Sequence, residues 1–282
     1  MHDHWTLATI EWSKFDRTKV DPQLLMAVKA ASLVESNAND YVDYLRKVFG
    51  NDPAMVRVLE RWGAEEVQHG DVLGRWAELA DPTFDFKDAL KRFRDGYKPP
   101  HFLNADGSVR GSRIGELIAR CVVECATSSG YTALRDASEE PVLKQIASLV
   151  AADEYKHYRL FYDLMHQQAE ECPGFWRRLK IAVMRVGEAE DDELAYAFYC
   201  ANVPSDKTSE IKYERKTYFT AYQACAMRMY RRSHVERAAA MIARAIGLHP
   251  ESRVVKLSGR AFWELIRFRA WAAGDVRLPT AA

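Results

Sequence analysis

Four stretches of the chain carry apolar residues at alternating steps of three and four, the spacing of a helix with one buried face. Between about Pro22 and Phe49 the stripe is Leu24, Val28, Ala31, Ala38, Val42 and Leu45, with Glu35 as its lone charge. Between about Pro53 and Ala80 it is Leu59, Trp62, Leu73 and Trp76, with Glu66 and His69 set among them. A third stripe, from Ser112 to about Asp136, holds Leu117, Cys121, Ser128 and Tyr131 around Glu124. The fourth follows Ser138 and Pro141, with Ala147, Val150, Phe161 and Leu164 around Glu154 and His157.

Local signals mark the helix starts. Asp21-Pro22 and Asp52-Pro53 each pair a side-chain cap with proline at the first helical position. Ser112 caps the third helix and Ser138 opens the fourth. The connector from Asp81 to Gly111 holds Pro82, Gly96, Pro99-Pro100 and Asn104-Ala-Asp-Gly107, too broken for one long helix. Beyond Pro173, helical segments are expected at about Gly174 to Glu188, Asp191 to Ala201, Ser205 to Arg232, His234 to Ile246 and Glu251 to Ala273. No strand pattern is found, so the expected class is all-α, with one domain spanning 1–282: a four-helix body over 22–168 and a helical extension over 174–282.

A carboxylate inside an apolar stripe costs several kcal/mol, on the order of 3 or more, unless it is paired or binds a cation. Six polar intrusions at matching depths call for one explanation. Glu66 with His69, and Glu154 with His157, share the Glu-x-x-His spacing that puts both side chains on one helix face. Glu35 and Glu124 add one carboxylate from each remaining helix. Four carboxylates and two imidazoles in this order match the ligand set of a di-iron or di-manganese helical bundle. Oxygen-rich donors favour two iron ions, with an Fe/Mn or di-manganese pair as the alternative, over zinc. Asp153 and Glu65, each preceding a motif glutamate, are placed to accept a hydrogen bond from the opposite histidine. Glu116 is a rival third-helix ligand, read first as an exposed first-turn charge. Tyr155, Tyr158, Tyr162 and Trp62 are read as packing residues, and Cys125 as a small core residue. Ser128, Ser129 and Gly130 either leave room for a substrate chain or let helices approach closely.

Composition narrows the class. Among 282 residues, 40 Lys plus Arg balance 40 Asp plus Glu, which argues against nucleic acid as a partner. From Ile211 onward, 14 Lys or Arg face 5 Asp or Glu, a basic quarter able to meet an acidic partner. The five cysteines include no Cys-x-x-Cys, which fits a reducing cytoplasm and excludes an attached rubredoxin-like module. No apolar run reaches membrane-span length. His2 and His4 are read as part of a fraying terminus.

The motif residues resemble the soluble acyl-carrier-protein desaturases of the ferritin-like superfamily. Ala64-Glu-Glu-Val-Gln-His-Gly70 is similar to that family's Glu-Glu-x-Arg-His-Gly element, and Ala151-Ala-Asp-Glu-Tyr-Lys-His157 to its Ala-Asp-Glu-x-Arg-His element. Glu124-Cys-Ala-Thr127 resembles its Glu-x-x-Thr, and Gly130-Tyr-Thr-Ala133 the segment after it; the likeness runs from about Leu24 to Leu164. Gln68 and Lys156 stand where the family favours arginine. The resemblance implies a ferritin-like four-helix bundle with Glu35, Glu66, His69, Glu124, Glu154 and His157 as ligands, and Thr127 on the oxygen-binding face. It also implies dioxygen as co-substrate, an external electron donor such as a ferredoxin, an acyl or small-molecule substrate on an acidic acyl carrier protein, and a homodimer. The expected activity is a di-iron oxidase or oxygenase attacking a substrate C–H bond. A rubrerythrin-like peroxidase or ferroxidase, and a noncatalytic iron-storage protein, are the competing expectations.

Overall fold

The computed structural model describes residues 4–50, 52–97, 107–168, 172–188 and 192–273. Among them all regular structure is helical. The helices are α1 (Pro22–Glu35), α2 (Asn39–Phe49), α3 (Pro53–Ala80), α4 (Phe86–Gly96), α5 (Arg113–Ala137), α6 (Pro141–Gln167), α7 (Phe175–Gly187), α8 (Asp192–Asn202), α9 (Arg215–Met229), α10 (Arg232–Ala245) and α11 (Arg253–Ala273). Short 3-10 turns punctuate the N-terminal segment and follow α8.

The caps anticipated at α1, α3 and α5 form. Asp21 accepts from the backbone of Gln23 and Leu24, Asp52 from Ala54, and Ser112 from Gly115, each cap contributing about 1 kcal/mol. At α6 the cap is Glu140 rather than Ser138. Its carboxylate accepts from Val142 N (3.2 Å), Leu143 N (2.7 Å), Asp16 N (3.1 Å) and Trp76 Nε1 (2.7 Å), so the helix start is also pinned to α3 and the N-terminal segment.

The expected helix over Pro22 to Phe49 is two helices, broken at Ser36-Asn37-Ala38. Arg94 of α4 donates to the Ser36 carbonyl at 2.6 Å, and the backbone tightens there to three-residue bonds at Asn37 and Ala38. Gly70 of α3 makes room for this turn: a Cβ there would lie 2.1 Å from Ser36 Oγ and 2.6 Å from Ser36 N. The connector contains a helix that its prolines and glycines obscured, α4, capped by Asp85 and burying Ala89 and Phe93. Pro99-Pro100 and Asn104 lie outside the described residues. The segment expected as a helix from Ser205 instead begins with a single 3-10 turn, and α9 starts at Arg215 under a Glu214 cap.

Paired contacts give the helix directions. Lys29 meets Asp81 and Ser36 meets Gly70, so α1 and α3 run antiparallel. Glu65 meets His157 and Asp153 approaches His69, so α3 and α6 do as well. Thr127 meets Glu154 and Cys121 meets the Tyr158 carbonyl, which makes α5 antiparallel to α6. The seam residues Leu59, Trp62, Leu73, Trp76, Leu117, Cys121, Ala147, Val150 and Phe161 are buried between these helices. Around them, α8 and α9 pack on α1, α7 and α10 pack on α5, and α11 covers α9 and α10. No helix among the described residues is long and apolar enough to cross a membrane.

The N-terminal segment does not fray at His4. His4 and Trp5 dock on α6, and Gln68 of α3 donates to the Trp5 carbonyl at 2.9 Å. His2 lies outside the described residues.

Candidate metal centre

α3 and α6 each carry a Glu-x-x-His pair, and their antiparallel course brings each histidine against the other helix's glutamate. His69 Nδ1 lies 3.1 Å from Glu154 Oε1 and 3.4 Å from Glu66 Oε2. His157 Nδ1 lies 3.1 Å from Glu66 Oε1, 3.7 Å from Glu124 Oε2 and 3.9 Å from Glu154 Oε2. Glu35 enters from the last residue of α1 and Glu124 from the middle of α5. Two donor groups result: Glu35, Glu66, His69 and Glu154; and Glu66, Glu124, Glu154 and His157, the donor atoms of each lying within 4.8 Å of one another. Glu66 and Glu154 belong to both. All six side chains singled out as candidate ligands therefore meet at one place.

The donor set fits divalent cations. Glu124 Oε1, Glu154 Oε1, His157 Nδ1 and both nitrogens of His69 are buried without a hydrogen-bond partner. Several lie close to one another yet are not aligned as donor and acceptor, as expected of atoms directed at a common point. Ligands around one ion at about 2.1 Å stand about 3 Å apart, the spacing seen between the nearest of these atoms. Four carboxylates balance two doubly charged ions. Buried Glu and His groups that could hold a metal ion are thus present in the fold, and the elements are those the sequence pattern marked.

An outer carboxylate orients the His157 ring, and a second stands near the outer nitrogen of His69. His157 Nε2 lies 2.9 Å from Glu65 Oε2, while Glu65 Oε1 accepts from Arg61 Nε at 2.9 Å. His69 Nε2 lies 3.5 Å from Asp153 Oδ2. Asp153, itself buried, accepts from Trp5 Nε1 (2.6 Å) and Lys156 Nζ (2.8 Å) and meets His4 Nε2 at 2.9 Å. The Trp5 ring stacks on His69 at 6.0 Å between centroids. Gln68 and Lys156, at the positions where the desaturase motifs favour arginine, hold Trp5 and Asp153 respectively.

Electrostatics follows from crowding charge in a dry site. Burial, reinforced by Glu154 and Glu66, pushes the Glu35 carboxyl well above its ordinary range. Burial likewise drives Glu124 up to about 8, with Glu66 and Glu154 adding to it. Burial raises Glu66 too, but the adjacent imidazoles of His157 and His69 outweigh it and hold that carboxyl well below its ordinary range. Both imidazoles lose solvation, yet their carboxylate neighbours carry them far above an ordinary histidine. Protons and metal ions therefore compete for the same atoms.

Thr127 Oγ1 donates to Glu154 Oε2 at 2.5 Å and lies 3.1 Å from the Glu124 carbonyl, on the α5 side of the cluster. Tyr131, a member of the third stripe, donates its hydroxyl to Glu35 Oε1. Its position one turn beyond Thr127 was the available signal. Trp5 gave none, since it contacts Asp153 across 148 positions.

Other candidates fall away from the cluster. Glu116 is buried rather than exposed, and accepts from Tyr44 OH (2.8 Å) and Ser108 Oγ (3.0 Å) instead of facing the donors. Tyr155, Tyr158 and Tyr162 stack in a row along α6, and Trp62 packs edge-on against Phe161. Burial raises the Cys125 thiol to about 12, leaving it inert at neutral pH. Ser128 bonds to the Ala151 carbonyl and Ser129 to that of His234, so both serve close helix packing.

No protein-family model matches the chain, and no curated protein matches it either.

Proposed function

We propose that this chain is a non-haem di-iron oxidase or oxygenase built on a ferritin-like four-helix bundle, with α1–α2, α3, α5 and α6 as its members. The observation that carries the reading is the crosswise meeting of two Glu-x-x-His pairs, flanked by Glu35 and Glu124, in a buried cluster. The resemblance of the same residues to acyl-carrier-protein desaturases supports an oxidative reaction on an organic substrate. An iron pair, when bound, supplies two-electron reduction of dioxygen and attack on a C–H bond, with electrons from an external donor.

The protein's own residues set the conditions. Glu66 and Glu154, common to both donor groups, would serve both ions, and Glu35 and Glu124 would each complete one group. Glu65 holds the His157 ring, and Asp153 stands 3.5 Å from the outer nitrogen of His69, with both Nδ1 atoms directed inward. Thr127 keeps a proton at Oγ1 against Glu154, ready to be passed to a developing oxyanion or held back from it. Trp5 and Gln68 close the outer side of His69 against water.

An acyl group on an acidic carrier is the substrate this reading favours. Arg253, Lys256 and Arg260 of α11 are exposed and give such a carrier a basic surface. The deciding experiment is anaerobic loading with ferrous iron, followed by exposure to oxygen with candidate acyl substrates. Two iron ions per chain and oxygen consumption coupled to an oxidised product support the reading; peroxide consumption without such a product favours a peroxidase.

A further inference from the structure

One face of α5 presents three polar side chains to the cluster: Glu124, Thr127 three residues on, and Tyr131 four beyond that. The first is a candidate ligand, and the other two are hydroxyl donors. Thr127 Oγ1 donates to Glu154 Oε2 at 2.5 Å, and the Tyr131 hydroxyl donates to Glu35 Oε1. Tyr131 is itself buried, 7% exposed, which shields its bond from water.

The two outlying carboxylates therefore differ. Each belongs to a single donor group, Glu35 with His69 and Glu124 with His157. Glu35 has one oxygen committed to the phenol proton. Among the described residues no hydroxyl donates to the Glu124 carboxylate: its Oε1 is buried without a hydrogen-bond partner, and its Oε2 lies 3.7 Å from His157 Nδ1. A carboxylate binds a cation through one oxygen or through both. With Oε1 held by Tyr131, Glu35 has a single oxygen to offer, whereas Glu124 keeps two. Each group otherwise draws on one histidine and on the shared Glu66 and Glu154. The Glu35 side is thus short of one protein donor.

The backbone adds to the contrast. Glu35 is the last residue of α1, and the helix gives way to three-residue bonds at Asn37 and Ala38. Glu124 stands in the middle of α5, fixed by turns on both sides. The bond from Tyr131 supplies from another helix the restraint that the end of α1 lacks. We propose that Tyr131 is a positioning residue: by occupying Oε1 of Glu35 it makes the two metal positions inequivalent and keeps the one beside Glu35 and His69 open to an incoming ligand. The assignment rests on the dinuclear reading of the cluster and names which side of it takes that ligand.

The test uses the full chain, loaded with iron, oxidised and titrated with azide. The charge-transfer absorption of the azide complex reports affinity, and iron content is measured on the same samples. In Tyr131→Phe the ring stays and the proton goes, so Glu35 closes on the ion with both oxygens and competes with azide. Azide affinity is expected to fall about tenfold at unchanged iron content. A tyrosine that only packs would not weaken azide while both ions remain. Equal or tighter azide binding in an iron-replete variant overturns the proposal. Should Tyr131→Phe lose iron, Mössbauer spectra of the anaerobically loaded parent decide alone: two distinct ferrous doublets of equal area are expected, and one doublet overturns the inequivalence. Fewer than two ions in the parent would instead refute the metal assignment on which the proposal stands.

Discussion

His157 Nε2 lies 2.9 Å from Glu65 Oε2, while its Nδ1 faces Glu66, the next residue of the same helix. One turn of α3 thus both orients the ring and supplies a donor beside it. Removing the outer partner should loosen the ring without emptying the helix interface. Glu65→Ala is expected to weaken metal binding about 10- to 100-fold while leaving helical content unchanged. Competitive titration with a metal chelator measures it, and equal affinities would remove Glu65 from the account.

Thr127 touches Glu154 but is absent from both donor groups. Thr127→Val keeps the shape and deletes the hydroxyl, so bound iron should stay within the error of the parent. Oxygen uptake or its coupling to product should change severalfold, about 1 kcal/mol or more for a lost hydrogen bond to a charged group. Parallel loss of iron and activity would point to folding damage instead.

Protonation of the cluster has a definite sign. Glu124 is raised from 4.5 to about 8, chiefly by burial. Between those values the metal-free native state keeps a proton that the unfolded chain releases, so its stability falls as pH rises through that window. Glu35 and both histidines shift in the same direction. A metal displaces these protons and so binds more tightly at higher pH. Thermal melts at about pH 5.5 and about pH 8 should show a larger metal-induced rise in Tm at the higher value. Equal increments would contradict the assignment.

Gly70 lies against the turn that ends α1 at Glu35. A methyl group there collides with backbone, which cannot swing aside as a side chain can. Gly70→Ala should cost about 1–3 kcal/mol in urea unfolding. It should also reduce metal affinity by displacing Glu35. Unchanged stability would mean the α1–α3 approach is looser than it stands here.

If α11 receives an acidic carrier, Arg253→Glu with Lys256→Glu should raise KM for a carrier-bound substrate and leave kcat for a free acyl analogue unchanged. The difference should shrink with added salt. A KM insensitive to both removes that surface from the reading.

Much of this was legible in the chain because Glu35, Glu66, His69, Glu124, Glu154 and His157 each interrupt an apolar stripe, where a polar group needs a reason. The starts of α1, α3 and α5 were legible because their caps are local. The break after Glu35 was not, since it depends on Arg94 and Gly70, which come from other helices. Glu140 capping escaped notice because its strength comes from Trp76 and Asp16 as well as its own helix.

The most direct test of the central claim is iron stoichiometry and Mössbauer spectroscopy of the anaerobically loaded chain, compared with Glu66→Ala and His157→Ala. The account predicts close to two ions per chain in the parent, a spin-coupled pair after oxidation, and loss of that pair in both variants. One isolated ion, or full binding in either variant, would contradict it.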